Sequence, residues 1–171
     1  MKRSQWKGRL VGGPSDPVLR SWLTEPGSLT ARCQRASAHF CVRLVRFGKG
    51  KSLVDEADRP LSCIREVVLT CDGQPVIFAH TTLSTVERGK MSRWMARLGT
   101  RSLGSLLFSH PGFRRGALEY LRIDPKHPLY RRAASVCPLS GPLWARRSLH
   151  RLDGQAVLVT EVFLPGILAL K

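Results

Sequence analysis

The sequence predicts an α+β fold: a single antiparallel β-sheet with helices packed on it. Two Asp-Gly pairs, each set between β-rich runs, carry most of that reading. Cys63 to Cys71 meets Pro75 to Leu83 across Asp72-Gly73, and Leu143 to Leu152 meets Gln155 to Leu164 across Asp153-Gly154. A two-residue type I′ turn needs positive φ at both central positions, which makes Asp-Gly a strong hairpin signal. Short helix-like stretches lie outside the hairpins, so the helices pack on a sheet of adjacent antiparallel strands.

The remaining elements follow in order. Residues 1–14 are basic and glycine-containing and are expected to form a flexible arm ahead of a single domain over 15–171. Ser15-Asp16-Pro17 is a helix start, with an acceptor side chain before a proline, and Leu19, Trp22 and Leu23 form its apolar stripe. Pro26-Gly27 ends that helix, and Ser28 caps a second one through about Ala36. Residues 38–47 alternate as a strand, and residues 48–60 form a polar loop. A helix over 86–97 is stopped by Gly99, a shorter helix spans about 102–108, and a strand covers about 116–123. Residues 124–142 hold four prolines and no periodicity, which predicts a loop or flap.

The net charge of +16 points by itself to a polyanionic partner. The basic residues, however, run from Lys2 to Lys171 with no long block, and no zinc-finger spacing or aromatic-basic strand signature accompanies them. Specific nucleic-acid binding is therefore not expected, and a positive field equally suits a small dianionic substrate. The five cysteines include no Cys-x-x-Cys and the histidines are scattered, so no metal site is expected. Free thiols suit a reducing cytoplasm. No signal peptide or membrane-length apolar run is present, so the chain is expected to be soluble and cytoplasmic, and a single small antiparallel domain is expected to be a monomer.

Two residues are out of place for a structural strand. Glu161 sits in the apolar run Gln155 to Pro165, in line with Val157, Val159 and Phe163. A buried carboxylate finds a partner or becomes neutral, and a neutral carboxyl in a pocket is a proton donor. Arg65 mirrors it, sharing a face with Cys63, Val67 and Leu69. Its guanidinium matches a carboxylate in a two-point fork, so it either pairs with a protein acid or receives an anionic ligand. A buried Arg65–Glu161 ion pair is one reading. Glu66, on the other strand face, is expected to be solvated or ion-paired. The glycine-flanked turn from Leu98 to Gly104 exposes backbone N–H groups at a helix start, a weak anion-binding signal.

Four stretches, Arg65 to Pro75, Leu98 to Phe108, Leu143 to Ser148 and Leu158 to Pro165, resemble the chorismate pyruvate-lyase family in the family's order. The resemblance covers most of the chain from about residue 17. It implies helical flaps covering an internal ligand pocket and no metal or organic cofactor. It also implies elimination of pyruvate from chorismate to give 4-hydroxybenzoate for ubiquinone synthesis. By resemblance, Arg65 grips the ring carboxylate, and Glu161 lies near the ring oxygen at the opposite end. Leu29 and Leu103 hold the ligand through their main chain. His80 stands where another branch of the family has arginine, which makes it a possible secondary contact. The same fold serves as the ligand-binding domain of transcription regulators, so a non-catalytic sensor of small aromatic acids is the alternative. Such regulators also carry a helix-turn-helix domain, for which the chain shows no candidate.

Overall fold

A computed structural model of the chain describes residues 5–53, 56, 61–83, 90–152 and 154–170. Its seven strands form one antiparallel sheet. β1 (Phe40–Lys51), β2 (Leu61–Cys71), β3 (Gln74–Leu83), β7 (Gln155–Phe163), β6 (Leu143–Leu152) and β4 (Arg114–Arg115) lie side by side in that order, and β5 (Glu119–Ile123) also pairs with β6. Both hairpins form where the sequence places them. Asp72 and Gly73 have φ of 50° and 80°, the two positive values that their turn requires. In the second hairpin Leu152 pairs with Gln155 and Gly154 has φ of 75°, while Asp153 lies outside the described residues.

Helices cover the sheet unequally. On the front face, α1 (Pro17–Leu23), α2 (Leu29–Ala36) and a 3-10 turn (Pro165–Ala169) pack Trp22, Leu23, Leu29, Cys33 and Ile167 against Val67, Leu69, Ile77 and Phe163. Asp16 and Ser28 cap α1 and α2, each accepting a backbone N–H through its side chain, as the sequence predicts. At the other end of the same face, α3 (Lys90–Leu98) and α4 (Leu103–Phe108) set Met91, Met95, Leu98, Leu103 and Leu107 against Leu83 and Val157. On the back face, α5 (Pro128–Ala133) packs Leu129, Tyr130 and Ala133 on Val68, Phe78, Ala145 and Val162.

Several expectations are corrected. The first strand runs on to Lys51 through residues expected as loop, because Gly48, Lys49 and Gly50 continue the ladder opposite Ile64, Cys63 and Ser62. The segment 124–142 is no flap over a front-face site: Pro128 opens α5, His127 caps it, and its apolar residues lie on the back. Part of the arm expected to be flexible is tied down, since Lys7 exchanges backbone hydrogen bonds with Tyr120 at 3.0 and 2.8 Å. The helix expected over 86–97 is described from Lys90 to Leu98, and its first four positions lie outside the described residues.

Candidate active site

Between the front face and its helices lies a cleft that is partly open to solvent. Val42, Val67, Leu69, Ile77, Ala79 and Val159 make its apolar floor. Arg65 and Glu161 both line it, as do Leu29 and Leu103, the first residues of α2 and α4. Arg65 pairs with Thr81, Thr81 with Val159, and Glu161 stands two residues further along β7 on the same face. Sheet spacing sets the two residues roughly 10 Å apart across the strands and roughly 7 Å along them.

They do not bond to each other. Arg65 is 2% exposed, and its Nη2 donates to the carbonyls of Gly99 at 3.0 Å and Arg101 at 2.7 Å, which ties the α3–α4 turn to the sheet. Its Nε is buried with no partner among the described residues. Burial lowers its pKa to about 10, still high enough to keep the charge at neutral pH. Glu161 has its own partner in Arg146, its neighbour across the β6–β7 ladder, whose Nε donates to Oε2 at 2.7 Å. Arg146 is 1% exposed and anchored through Nη1 to the carbonyls of Leu23 and Glu25 at 3.3 and 2.7 Å. Oε1 of Glu161 makes no hydrogen bond among the described residues.

A second polar group completes the lining. Arg115 donates through Nε to Ser148 Oγ at 3.2 Å and through Nη1 to the carbonyl of Pro26 at 2.6 Å. Ser148 Oγ lies 2.9 Å from Nε2 of His150, whose ring stacks on Phe113. Burial, then the charges of Arg115 and Arg146, push the His150 pKa down to about 3, so its imidazole is neutral at ordinary pH. Its Nδ1 is buried without a partner among the described residues. Thr30 in α2 and Ser102, the cap of α4, hydrogen-bond at 2.7 Å and join the two helix starts over the cleft. The lining thus carries three guanidinium groups and one carboxylate, an excess of two positive charges, above an apolar floor.

His80 is not brought to this site. Counting back from a two-residue turn places His80 opposite Arg65, on the same face. A bulge at Leu69/Thr70 breaks that count: Thr70 pairs with Pro75 but Leu69 pairs with Ile77. The ladder breaks beside Pro75, which has no N–H to give, and every later pair shifts by one residue. Thr81 therefore faces Arg65, and His80 faces Glu66 on the back. There, fully buried, it bonds Glu66 at 2.7 Å and Glu56 at 3.1 Å, and Arg132 of α5 reaches Glu66 at 2.9 Å. Burial pushes the His80 pKa down, but hydrogen bonds to Glu56 and Glu66 and their charges outweigh it, and the net shift is upward. Glu66, which burial alone would raise, is held low by His80, Arg132 and Arg46.

The sequence reading missed Arg115, Ser148, His150 and the pairing of Arg146. Part of this was there to be counted. The second hairpin keeps one register from Leu152/Gln155 outward, which puts Arg146 opposite Glu161 and sends Ser148 and His150 to the same face. Arg115 had no such signal, because β4 is two residues long and reaches Ser148 only through the tertiary fold.

Comparison with known proteins agrees with this architecture. Residues 11–170 match the family model described as chorismate lyase. A probable chorismate pyruvate-lyase of Dechloromonas aromatica (strain RCB) is 66% identical over the full length of both chains. Another, of Methylobacillus flagellatus, is 43% identical over 98% of this chain and 97% of its own. Among solved structures, the effector domain of PhnF from Mycobacterium smegmatis superposes with a TM-score of 0.60 at 16% identity, covering 82% of this chain and 90% of that one. That last likeness is one of fold. No helix among the described residues is long and apolar enough to cross a membrane.

Proposed function

The chain belongs to the chorismate lyase family, and from that premise we propose that it converts chorismate to 4-hydroxybenzoate and pyruvate in the front-face cleft. The observation that carries the proposal is the charge of the lining: three arginines against one glutamate above an apolar floor suit a compact dianion with a flat ring. Chorismate has a ring carboxylate, a second carboxylate on its enolpyruvyl ether, and a ring one elimination short of aromatic. The ether C–O bond breaks, the adjacent ring carbon gives up its hydrogen, and the departing fragment takes up a proton to become pyruvate. No oxidant, reductant or water is consumed. Aromatisation supplies the driving force, so the protein has mainly to orient the ring and steady developing charge.

Arg65 anchors the ring carboxylate. Its unpartnered Nε supplies a donor, and its bonds to Gly99 and Arg101 fix the guanidinium plane. Glu161 faces the oxygen-bearing end of the ring through Oε1, while Arg146 holds Oε2. That ion pair favours an electrostatic and hydrogen-bonding role for Glu161 over that of a free general acid. The main chain at Leu29 and Leu103, where α2 and α4 begin, closes over the ligand, and the Thr30–Ser102 bond keeps the starts together. A ring enclosed in this way leaves slowly, so release of 4-hydroxybenzoate limits turnover.

Purified protein mixed with chorismate should generate 4-hydroxybenzoate, followed by absorbance, with a pre-steady-state burst. The regulator-like fold of the PhnF effector domain keeps a sensor as the second reading. Saturable binding of 4-hydroxybenzoate with chorismate left intact would establish that reading in place of the lyase. A steep salt dependence of DNA binding without turnover would point instead to the charge as the function.

A further inference from the structure

The lyase reading leaves one carboxylate of the substrate without a seat. Arg65 takes the ring carboxylate, and Arg146 is committed to Glu161 and to two carbonyls. Arg115 is the remaining guanidinium in the cleft. Among the described residues it pairs with no acidic side chain, and its Nη2 makes no hydrogen bond. Its pKa is lowered, by burial first and then by Arg146, against the opposite pull of Glu161, Tyr120 and Glu25. Behind it lies a short chain of polar groups. Ser148 Oγ accepts from Arg115 Nε and lies within bonding distance of His150 Nε2, while His150 Nδ1 has no partner.

We infer that Arg115, backed by Ser148 and His150, is the seat of the leaving group's carboxylate. This rests on the lyase reading of the same cleft. A neutral imidazole has one N–H to give. When His150 donates it from Nε2 to Ser148, Ser148 accepts two hydrogen bonds, the second from Arg115, and its own O–H is released toward the cleft. An incoming carboxylate then meets Nη2 of Arg115 and the hydroxyl of Ser148 side by side. His150 thus acts as a positioning residue through Ser148 and remains neutral over the working pH range. The position suits a departing fragment: Ser148 shares a row with Arg65 and Val159, and Arg146 and Glu161 stand in the adjacent row. The leaving group would lie on the β6 side of the ring.

The test compares substrate with product, because 4-hydroxybenzoate has lost the second carboxylate. In Arg115→Gln, kcat/KM for chorismate should fall about 10- to 100-fold, chiefly through KM, as expected for one lost charge-assisted contact. The Kd of 4-hydroxybenzoate should stay within about twofold. Arg65→Ala, by contrast, should weaken substrate and product together. Arg115 also holds the carbonyl of Pro26, so Ser148→Ala provides an independent variant, with the same discrimination at about 3- to 10-fold. Parallel loss of product affinity in both variants would show that these residues merely shape the cleft and would overturn the seat. Unchanged chorismate kinetics would overturn it as well. Absence of turnover by the unaltered protein would remove the lyase reading and the seat with it, whereas normal turnover with undiscriminating variants removes the seat alone.

Discussion

Both faces of the sheet carry a band of charge through an apolar layer, and the two bands are completed in different ways. On the back, the register aligns Arg46, Glu66, His80, Thr160, Arg147 and Glu119 in one row from β1 to β5. Its members satisfy one another or take partners from loops and helices: Glu66 has His80 and Arg132, His80 also has Glu56, and Arg147 has Glu119 at 2.7 Å. On the front, among the described residues, Arg65 Nε and His150 Nδ1 are buried without hydrogen-bond partners, and Arg115 forms no ion pair with an acidic side chain. Buried polar groups are normally paired, because leaving one unmatched costs about 1–3 kcal/mol. A band that completes itself contributes to the fold. The incomplete band lies beside the cleft.

This contrast predicts opposite outcomes for similar substitutions. The largest effect is expected on the back. Glu66→Ala leaves His80 and Arg132 without their shared acid, and should lower unfolding free energy by about 3–5 kcal/mol, with turnover per folded molecule retained. Chemical denaturation together with an active-site titration would check this; loss of turnover in fully folded protein would erase the distinction between the faces. On the front, Glu161→Gln should raise the barrier by about 3–4 kcal/mol, and because its amide oxygen still accepts from Arg146, the melting temperature should fall less than in Glu66→Ala. Its turnover should fall further than its affinity for 4-hydroxybenzoate, and turnover equal to the unaltered protein would reject the role of Glu161. Arg65→Ala should act chiefly on affinity, and a binding isotherm equal to the unaltered one would remove Arg65 from the site.

Acidity should separate the faces as well. His80 on the back has a raised pKa, so its contribution to stability is complete below the ordinary value of 6.5 and is lost as pH climbs through the raised value. Glu66 is depressed, so its contribution is lost as pH falls below 4.5. His150 on the front, at about 3, works in the opposite sense to His80. Below pH 6.5 the unfolded chain takes up a proton that the folded one refuses, and stability declines toward pH 3. Among these groups the melting temperature should peak near pH 6.5. His80→Gln should flatten the alkaline limb and, by removing a partner that holds Glu66 low, part of the acid limb below pH 4.5, while His150→Gln should flatten the acid limb between pH 6.5 and about 3; an alkaline limb that survives His80→Gln would refute the assignment. The smallest effect is expected at the joint of the flaps. Thr30→Val removes the bond to Ser102 and should speed release of 4-hydroxybenzoate about 2- to 10-fold, seen as a diminished burst.

The two hairpins show how far the sequence could be followed. Both have an Asp-Gly turn, and counting outward from each gives a register. In the second hairpin the count holds along its length and places Arg146 on Glu161. In the first it fails at Leu69/Thr70, and that single bulge moves His80 from the cleft face to the opposite one. The helix starts at Asp16 and Ser28 were legible because capping is local. The place of residues 124–142 was not, because a helix begun by His127 and Pro128 has no local signal saying which face of the sheet it will cover.

By itself, the sequence determined the class of fold, the two hairpins, the helix caps and the anomaly of Arg65 and Glu161 in apolar strands, since each follows from spacing or from chemistry within a few residues. The tertiary structure alone decided that these two residues take separate partners and line one cleft, that Arg115 joins them from a distant short strand, and that His80 belongs to the back. The physical reason is parity. Side chains alternate at every residue of a strand, so one bulge or one long-range contact exchanges the inside of a site for the far side of the sheet.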